Sequence, residues 1–172
     1  MNTKELDELL ARTAKGDNAA FEELYICTKR GVFAFLYSYF HNYADTEDAM
    51  QTVYLKVKTH IESYRVGTNG RAWILQIAKN HALNEIKKHR QEAPLEEVKN
   101  RVIEPQASVG GVTEVMEKTL TEEEQRIVAL HVLWNYKHRE IAAMEGCPTG
   151  TITSKYKRAI EKMRKALKED AQ

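Results

Sequence analysis

The stretch KHREIAAMEGCPTGTITSKYKRA, residues 137–159, carries the strongest local signal for the fold. Its apolar and small residues are spaced for two short helices, and Gly146 stands between them, where a tight turn needs a positive φ. Pro148 suits the start of the second helix, because a first-turn amide has no helical hydrogen-bond partner. Ile152 and Tyr156 are one helical turn apart and should both face inward. The pattern predicts a helix-turn-helix.

The second of these helices should present polar and cationic side chains to the outside. The expected outward residues are Thr149, Thr151, Thr153, Ser154, Lys155, Lys157 and Arg158. Such a surface fits a DNA major groove, with cations on phosphates and shorter polar groups at base edges. An ordinary helical hairpin with a solvated basic face is the alternative interpretation.

Upstream, the apolar spacing is helical almost throughout, and no convincing strand pattern occurs. Apolar stripes run through residues 21–28 and 32–40, and a further helix should start at Asp45 or Thr46, with acidic residues in its first turn. The segment SYRVGTNG, residues 63–70, interrupts the pattern and is predicted to be a loop before the next helix. The fold class is therefore all-α.

This loop and the helix after it combine aromatic, amide and cationic side chains. Unpaired bases stack on aromatic rings, amides read exposed base edges and cations follow the backbone, so the mixture is typical of a single-stranded nucleic-acid surface. Tyr64 and Trp73 can equally be core residues. The candidate residues are Tyr64, Arg65, Asn69, Arg71, Trp73, Gln76, Lys79, Asn80 and Lys87.

Between residues 91 and 112 the periodicity is lost in a mostly acidic stretch with two prolines and a Gly-Gly pair. It is predicted to be a flexible linker between two small helical domains. Beyond it, Thr121 and Glu124 form a capping-box pattern directly before the apolar run 127–133. Cys147 is expected to fill the core of the second domain.

Charge is distributed in blocks. The net charge is +1, but residues 1–50 carry −4, 51–91 carry +6, 92–124 carry −6 and 125–172 carry +5. Two basic segments separated by an acidic one indicate two surfaces for polyanions, although short basic helix ends are also common on solvated faces.

The composition of the chain excludes several classes of protein. With 172 residues and 42% hydrophobic side chains the chain can form one domain or two small ones. Its two cysteines, Cys27 and Cys147, match no zinc or redox spacing, and no apolar run is long enough to span a bilayer. No signal peptide is apparent, so we expect a cytoplasmic protein.

Three segments in order, DTEDAMQTVYLKVKTHIESY, NGRAWILQIAKNHALNEIKKHR and EIAAMEGCPTGTITSKYKRA, resemble bacterial RNA polymerase sigma factors of the extracytoplasmic-function group. The resemblance covers the chain from about Gly16 to Leu167. It implies a region 2 domain at residues 1–91, a linker at 92–112 and a region 4 domain at 113–172, with no enzyme activity and no cofactor. Implied partners are core RNA polymerase, through its β′ clamp helices and β flap, promoter DNA and an anti-sigma factor, and no small-molecule substrate.

The resemblance also implies roles for residues. The surface for the β′ clamp helices would comprise Asp45, Asp48, Gln51, Thr52 and Leu55. The loop and helix candidates above, from Tyr64 to Lys87, would bind the −10 element and hold a flipped base. The −35 element would be contacted by Thr149, Gly150, Thr151, Thr153, Ser154, Lys155, Lys157 and Arg158. The acidic linker would extend toward the RNA path of the polymerase.

Three positions depart from what is frequent in this family. Thr52 replaces a common Glu, Gln76 a common Arg, and Thr153 a frequent Lys or Arg. The first two changes weaken an expected polymerase contact and an expected backbone contact. The third implies that the −35 preference differs from that of familiar relatives.

Two other functions remain open from the residues. Asp45, Glu47 and Asp48 could form a metal cluster of an enzyme, with His131 and His138 as further ligands, but acids in a first helical turn are expected from the helix dipole alone. No HExxH, GxxxxGK or GxSxG motif occurs. A helix-turn-helix regulator that binds duplex DNA without polymerase is the second alternative, and it would make the first domain a ligand-binding or dimerisation module.

Overall fold

The computed structural model describes residues 3–92 and 112–169. All regular secondary structure in these two ranges is helical, which confirms the all-α fold class. The chain divides into two compact units, Met1–Val102 and Ile103–Gln172. Residues 93–111, nearly all of the expected linker, lie outside the described residues, and the domain limits at 91 and 113 stay predictions.

In residues 3–92, unit 1 is a bundle of four helices. They are α1 (Thr3–Ala14), α2 (Asn18–Phe40), α3 (Tyr43–Thr59) and α4 (Gly70–Glu92), with a 3₁₀ turn at Ile61–Ser63 between α3 and α4. Large apolar side chains from all four helices are fully buried at its centre, and each such burial contributes roughly 1.5–3 kcal/mol. They include Leu6, Leu10, Leu24, Phe35, Leu36, Val53, Ile74 and Leu75.

Side-chain caps set the starts of two helices in unit 1, and one of these starts differs from the expectation. The apolar stripes at 21–28 and 32–40 lie on one continuous helix, α2, whose N-terminus is capped by the Asp17 side chain. Helix α3 begins at Tyr43 rather than at Asp45 or Thr46, because the Asn42 side chain accepts a hydrogen bond from the Asp45 amide at 3.0 Å. An Asn cap two residues upstream thus outweighs the acidic first turn as a start signal.

Unit 2 comprises α5 (Val112–Thr119), α6 (Glu122–Val128), α7 (His138–Glu145) and α8 (Thr149–Glu169), with a π-helical turn at Ala129–Leu133. The capping box is confirmed: the Glu124 amide donates to the Thr121 hydroxyl at 3.3 Å and the Thr121 amide donates to the Glu124 carboxylate at 3.0 Å. The apolar run that follows the capping box, residues 127–133, begins in α6 and ends in the π-helical turn.

Glu124 also connects α6 to α8. Its buried carboxylate accepts hydrogen bonds from the Lys162 ammonium at 2.7 and 3.0 Å. Burial alone would raise the pKa of the Glu124 carboxyl, but Lys162 and the Thr121 backbone outweigh it and hold this pKa below its ordinary value. The ion pair fixes the first turn of α6 on the long helix that carries the basic surface.

Candidate nucleic-acid and protein interfaces

Helix α3 separates a buried face from an exposed one. Thr46, Ala49, Val53, Tyr54 and Val57 are buried against the rest of unit 1. The opposite face carries the residues expected to bind the polymerase: Asp45, Asp48, Gln51, Thr52 and Leu55. Asp48 and Gln51 are exposed and Asp45 and Thr52 half-buried, while the apolar Leu55 side chain is 63% exposed. The structure therefore brings all five onto one helix face, with the apolar Leu55 at its C-terminal end.

The loop between α3 and α4 starts with a buried tyrosine. The Tyr64 ring packs against Trp73 with centroids 5.3 Å apart, and its hydroxyl donates to Asp7 Oδ1 at 2.7 Å. Burial, with the acceptor Asp7, raises the pKa of Tyr64 to about 12. Tyr64 was expected among the DNA-contacting residues; its burial makes it a support of the loop, as the core alternative predicted.

The tip of the loop is exposed. Arg65, Val66, Thr68 and Asn69 are all solvent-accessible, and Gly67 adopts φ +86°, which turns the chain between them. The Thr68 hydroxyl and amide both donate to the Arg65 carbonyl, at 2.7 and 3.2 Å. A compact turn thus presents the Arg65 and Asn69 side chains, while the Asn69 side-chain oxygen accepts from the Ala72 amide at 3.2 Å and starts α4.

Helix α4 continues this surface along one side. Helical spacing places Trp73, Gln76, Asn80 and Lys87 on a common face, of which the last three are exposed and Trp73 is half-buried. The Gln76 amide donates to Asn80 Oδ1 at 2.7 Å, so the two side chains form a preordered pair.

Two of the expected cations are placed less favourably. Arg71 lies two residues from Trp73, which turns it to nearly the opposite side of α4, and it is half-buried. Lys79 lies beside the common face and is also half-buried. The structure thus joins most of the expected −10 residues into one surface but sets Arg71 apart.

The helix-turn-helix forms as expected. Gly146 ends α7 with φ +65°, and Ile141, Ala142 and Ile152 are buried between α7 and α8. Two details differ. Cys147 is half-buried, with its amide donating to the Ala142 carbonyl, and Pro148 lies just before α8, where its carbonyl accepts from the Thr151 amide at 3.0 Å.

The outward face of α8 is narrower than the sequence indicates. Thr149, Gly150, Ser154, Lys157 and Arg158 are exposed, whereas Thr151, Thr153 and Lys155 are half-buried. The Lys155 ammonium forms an ion pair with Glu123 of α6, and the Thr153 hydroxyl donates to the Thr149 carbonyl at 3.0 Å. The expectation that Lys155 points outward is therefore corrected, because an acidic partner on a neighbouring helix holds it.

Beside the Thr153 hydroxyl lies a cluster of three rings. His131, His138 and Tyr156 have ring centroids 4.7–5.0 Å apart. The Thr153 hydroxyl donates its proton to a carbonyl, so its oxygen accepts a hydrogen bond from His138 Nδ1 at 3.1 Å. The other ring nitrogen, the buried His138 Nε2, has no hydrogen-bond partner. Burial, with some help from His131, lowers the pKa of His138 below its ordinary value.

This cluster predicts a pH dependence of stability. His138 has a lowered pKa in the folded chain, so below about pH 6.5 the unfolded chain binds a proton that the folded chain resists, and stability falls as the pH falls. Thermal unfolding of the whole chain at pH 7.5, 6.5 and 5.5 should show this loss. The variant His138→Asn, which keeps a donor near the Nδ1 position, should make the slope shallower, with the remainder due to His81, whose pKa burial also lowers. His89→Asn on the exposed surface of α4 should leave the slope unchanged. Equal slopes in all three proteins would contradict the prediction.

Some relevant residues were missed from the sequence. Leu83 is 47% exposed and lies on the same side of α4 as Asn80. The apolar spacing of the sequence assigns this leucine to neither the core nor the surface. Asp7 and Glu123 contact candidate residues from distant helices. No local pattern marks such contacts, since each depends on how two helices pack.

Two family models match the chain. The sigma-70 region 2 model matches residues 24–92 and a sigma-70 region 4 model matches residues 118–163, together about two thirds of the chain. The chain is a sigma factor. Sequence comparison with curated proteins narrows the group: the protein is 26% identical over 171 residues to the extracytoplasmic-function sigma factor SigC of Mycobacterium tuberculosis, covering 95% of this chain and 90% of that one.

The extracytoplasmic-function sigma-E factor of Escherichia coli is 27% identical over 171 residues, covering 89% of each chain. The sigma factor described here thus belongs to the extracytoplasmic-function group, as its three motifs predicted. As such it is a transcription initiation factor that directs RNA polymerase to promoters.

Solved structures agree on the fold. A complex of CnrH with the cytosolic domain of CnrY matches with a TM-score of 0.60 at 17% identity, covering 96% of this chain and 99% of that one. RpoE of Bartonella quintana, in complex with the anti-sigma factor NepR, matches with a TM-score of 0.62 at 23% identity, covering 86% and 96%.

Within residues 3–92 and 112–169, no helix of this sigma factor is long and apolar enough to cross a membrane. The same ranges contain no group of three His, Cys, Asp or Glu side chains arranged to hold a metal ion, and this includes the acidic first turn of α3.

Proposed function

We propose that this sigma factor uses three exposed surfaces during initiation. The exposed face of α3 binds the β′ clamp helices of core polymerase, the loop 64–70 with α4 binds the non-template strand of the −10 element, and α8 reads the −35 element. The observation that carries the proposal is the separation of faces: α3, α4 and α8 each bury an apolar side and expose several of the predicted contact residues on another.

In unit 1 the chemistry is that of single-strand capture. Extruding a base costs a few kcal/mol of stacking, which the protein must return through stacking and hydrogen bonds. The Gln76–Asn80 pair offers amide donors and acceptors to a base edge, with Asn69 at the adjoining end of the loop. Lys87 further along α4 is placed to follow the phosphates.

In unit 2 the chemistry is that of duplex recognition. The exposed start of α8 carries Thr149 and Gly150, whose polar backbone and hydroxyl groups suit phosphate contact at a helix N-terminus. Ser154, Lys157 and Arg158 lie one to two turns further on and are the side chains we assign to base edges and flanking phosphates. Lys155 is held by its ion pair with Glu123, so it contacts DNA only where a phosphate replaces that carboxylate.

We also propose that a protein inhibitor of the anti-sigma class binds this sigma factor. We further propose that the sigma factor acts in the cytoplasm, where core polymerase is found. The support for the first is that the similar RpoE of Bartonella quintana is solved in complex with an anti-sigma factor. The role requires no catalytic residue and no cofactor of its own, because polymerase supplies the chemistry.

The test is promoter-directed transcription. Purified sigma factor and bacterial core polymerase are incubated with fragmented genomic DNA of the source organism, and transcript 5′ ends are sequenced. Starts that cluster downstream of a shared pair of elements support the proposal. Starts no more focused than with core alone, combined with tight duplex binding by the free protein, would favour the polymerase-independent regulator.

Asn80→Ala provides a residue-level prediction. It removes the side chain that Gln76 holds on the exposed face of α4, so open-complex yield on a mapped promoter should fall about three- to tenfold, the equivalent of one hydrogen bond. Affinity for core polymerase should not change. Asn18→Ala, the same substitution at an exposed residue of α2 outside this surface, serves as the control and should have little effect. An unchanged open-complex yield for Asn80→Ala would contradict its role in base capture.

A further inference from the structure

Helix α1 holds both ends of the loop that precedes α4. Asp7 Oδ1 accepts a hydrogen bond from the Tyr64 hydroxyl at 2.7 Å and another from the Gly70 amide at 3.0 Å. These donors lie 57 and 63 residues away in sequence and mark the first and last residues of the loop. One carboxylate oxygen therefore closes the loop at its base.

The contact is tight as well as polar. A Cβ atom on Gly70 would lie 2.5 Å from Leu10 Cδ1 and 2.7 Å from Asp7 Oδ1, so any side chain here would displace the fully buried Leu10 and the Asp7 carboxylate. Glycine is favoured here by close approach rather than by an unusual φ. The first residue of α4 is thereby pressed against α1, with Leu10 on one side and the carboxylate on the other.

Between these two anchors the loop is exposed: Arg65, Val66, Thr68 and Asn69 are all solvent-accessible. Its internal contacts are local, from Thr68 to the Arg65 carbonyl and to the Tyr64 hydroxyl, and from Asn69 to the first turn of α4. These contacts connect the tip to Tyr64 and to the start of α4, so the position of the tip depends on where Tyr64 and Gly70 are held.

We propose that Asp7 is a positioning residue for −10 recognition: it holds the Tyr64–Gly70 loop in the conformation that captures the extruded base. This inference rests on the proposed function of the loop. Helix α1 lies outside the matched region 2 segment, which begins at residue 24. Asp7 contacts no DNA and acts through the loop, by reducing the ordering that base capture would otherwise require.

The raised pKa of Tyr64, about 12, agrees with a neutral hydroxyl that donates to a carboxylate in a buried setting. Two variants interrupt the clamp from opposite ends. Asp7→Ala removes the shared acceptor, and Tyr64→Phe removes one donor but keeps the buried ring. Asp7→Asn keeps an acceptor oxygen of the same geometry without the charge and should restore part of the effect.

Asp17→Ala is the matched control. It makes the same substitution in the same unit and removes a carboxylate that caps α2 through the Ala20 amide and pairs with Arg12, far from the loop. It should destabilise unit 1 without altering the loop. A variant whose defect comes only from lowered stability would behave like Asp17→Ala.

The experiment uses holoenzyme, assembled from core polymerase and the full chain, on a promoter mapped as above. Two templates are compared: one intact, and one in which the non-template nucleotide most sensitive to substitution in the −10 element is abasic. On the intact template Asp7→Ala should reduce open-complex yield five- to tenfold, with Tyr64→Phe and Asp7→Asn in between. On the abasic template the difference from the unaltered protein should disappear, because there is no base to capture.

Amide hydrogen exchange of the free chain is measured in parallel. In Asp7→Ala the protection at residues 65–70 should fall while that in the centres of α2 and α3 is retained. Equal penalties on both templates, or unchanged protection of the loop, would overturn the positioning role. Failure of the unaltered holoenzyme to open the promoter would instead count against the proposed function, and hydrogen exchange would still report the clamp.

Discussion

Replacing Leu55 with aspartate should reduce the affinity of this sigma factor for core polymerase by at least about 30-fold, equivalent to about 2 kcal/mol. Leu55 is 63% exposed and follows Asp48, Gln51 and Thr52 on the same side of α3, so it is the one apolar side chain among the five residues predicted to bind polymerase. An apolar side chain in a docking surface loses its contact area when it is replaced, and the new carboxylate would be buried without a partner. Titration of labelled core polymerase measures the loss directly.

The fold should not be affected, since Leu55 is not part of the core of unit 1. Ile26→Asp is the control: Ile26 is 55% exposed on α2, outside the predicted polymerase surface, and its replacement changes the same chemistry elsewhere. Both variants should retain the thermal unfolding of the unaltered chain. Equal losses of polymerase affinity in the two variants would show that α3 does not define the docking face.

The features that could be predicted from the sequence are those decided within about ten residues. Gly146 has its positive φ because a helix must end before another begins, and the Thr121–Glu124 capping box forms because both of its bonds are local. The spacing of apolar residues likewise predicts that Ile141 and Ile152 are buried in the helix-turn-helix, as they are. In each case one stretch of chain contains both the signal and its structural consequence.

The features that could not be predicted depend on the packing of distant helices. Lys155 looks like an outward cation on α8, but Glu123, 32 residues earlier, forms an ion pair with it. Tyr64 looks like a stacking residue, but Asp7, 57 residues earlier, accepts its hydroxyl proton. A count of exposed cations from spacing alone therefore overestimates the DNA-facing charge, and the surviving candidates on α8 become more important.

Lys157 and Arg158 are the cations that remain exposed near the start of α8, and Arg158 has the stronger capacity for base recognition. A guanidinium can donate two parallel hydrogen bonds to a guanine edge, whereas an ammonium acts mainly as a point charge. Since Thr153 is bonded to the Thr149 carbonyl and to His138, we expect sequence discrimination to depend mainly on Arg158 and Ser154.

Arg158→Ala should therefore weaken transcription from promoters that depend on the −35 element by roughly 1–3 kcal/mol, five- to 150-fold, as expected for loss of a bidentate base contact. The loss should be much smaller when the −35 sequence is scrambled, because the side chain then has no matched base to lose. Arg164→Ala, an exposed arginine six residues farther along α8, is the control and should leave both promoters unaffected.

Transcript yield on matched and scrambled templates, measured at several salt concentrations, separates the two kinds of contact. A base contact changes the ratio between templates, whereas a phosphate contact lowers yield on both and reduces the salt dependence by about one counterion. Equal losses on the two templates would reassign Arg158 to the phosphates. Recognition would then depend on Ser154, Lys157 and the shape of the duplex, because the half-buried threonines and Lys155 already have partners within unit 2.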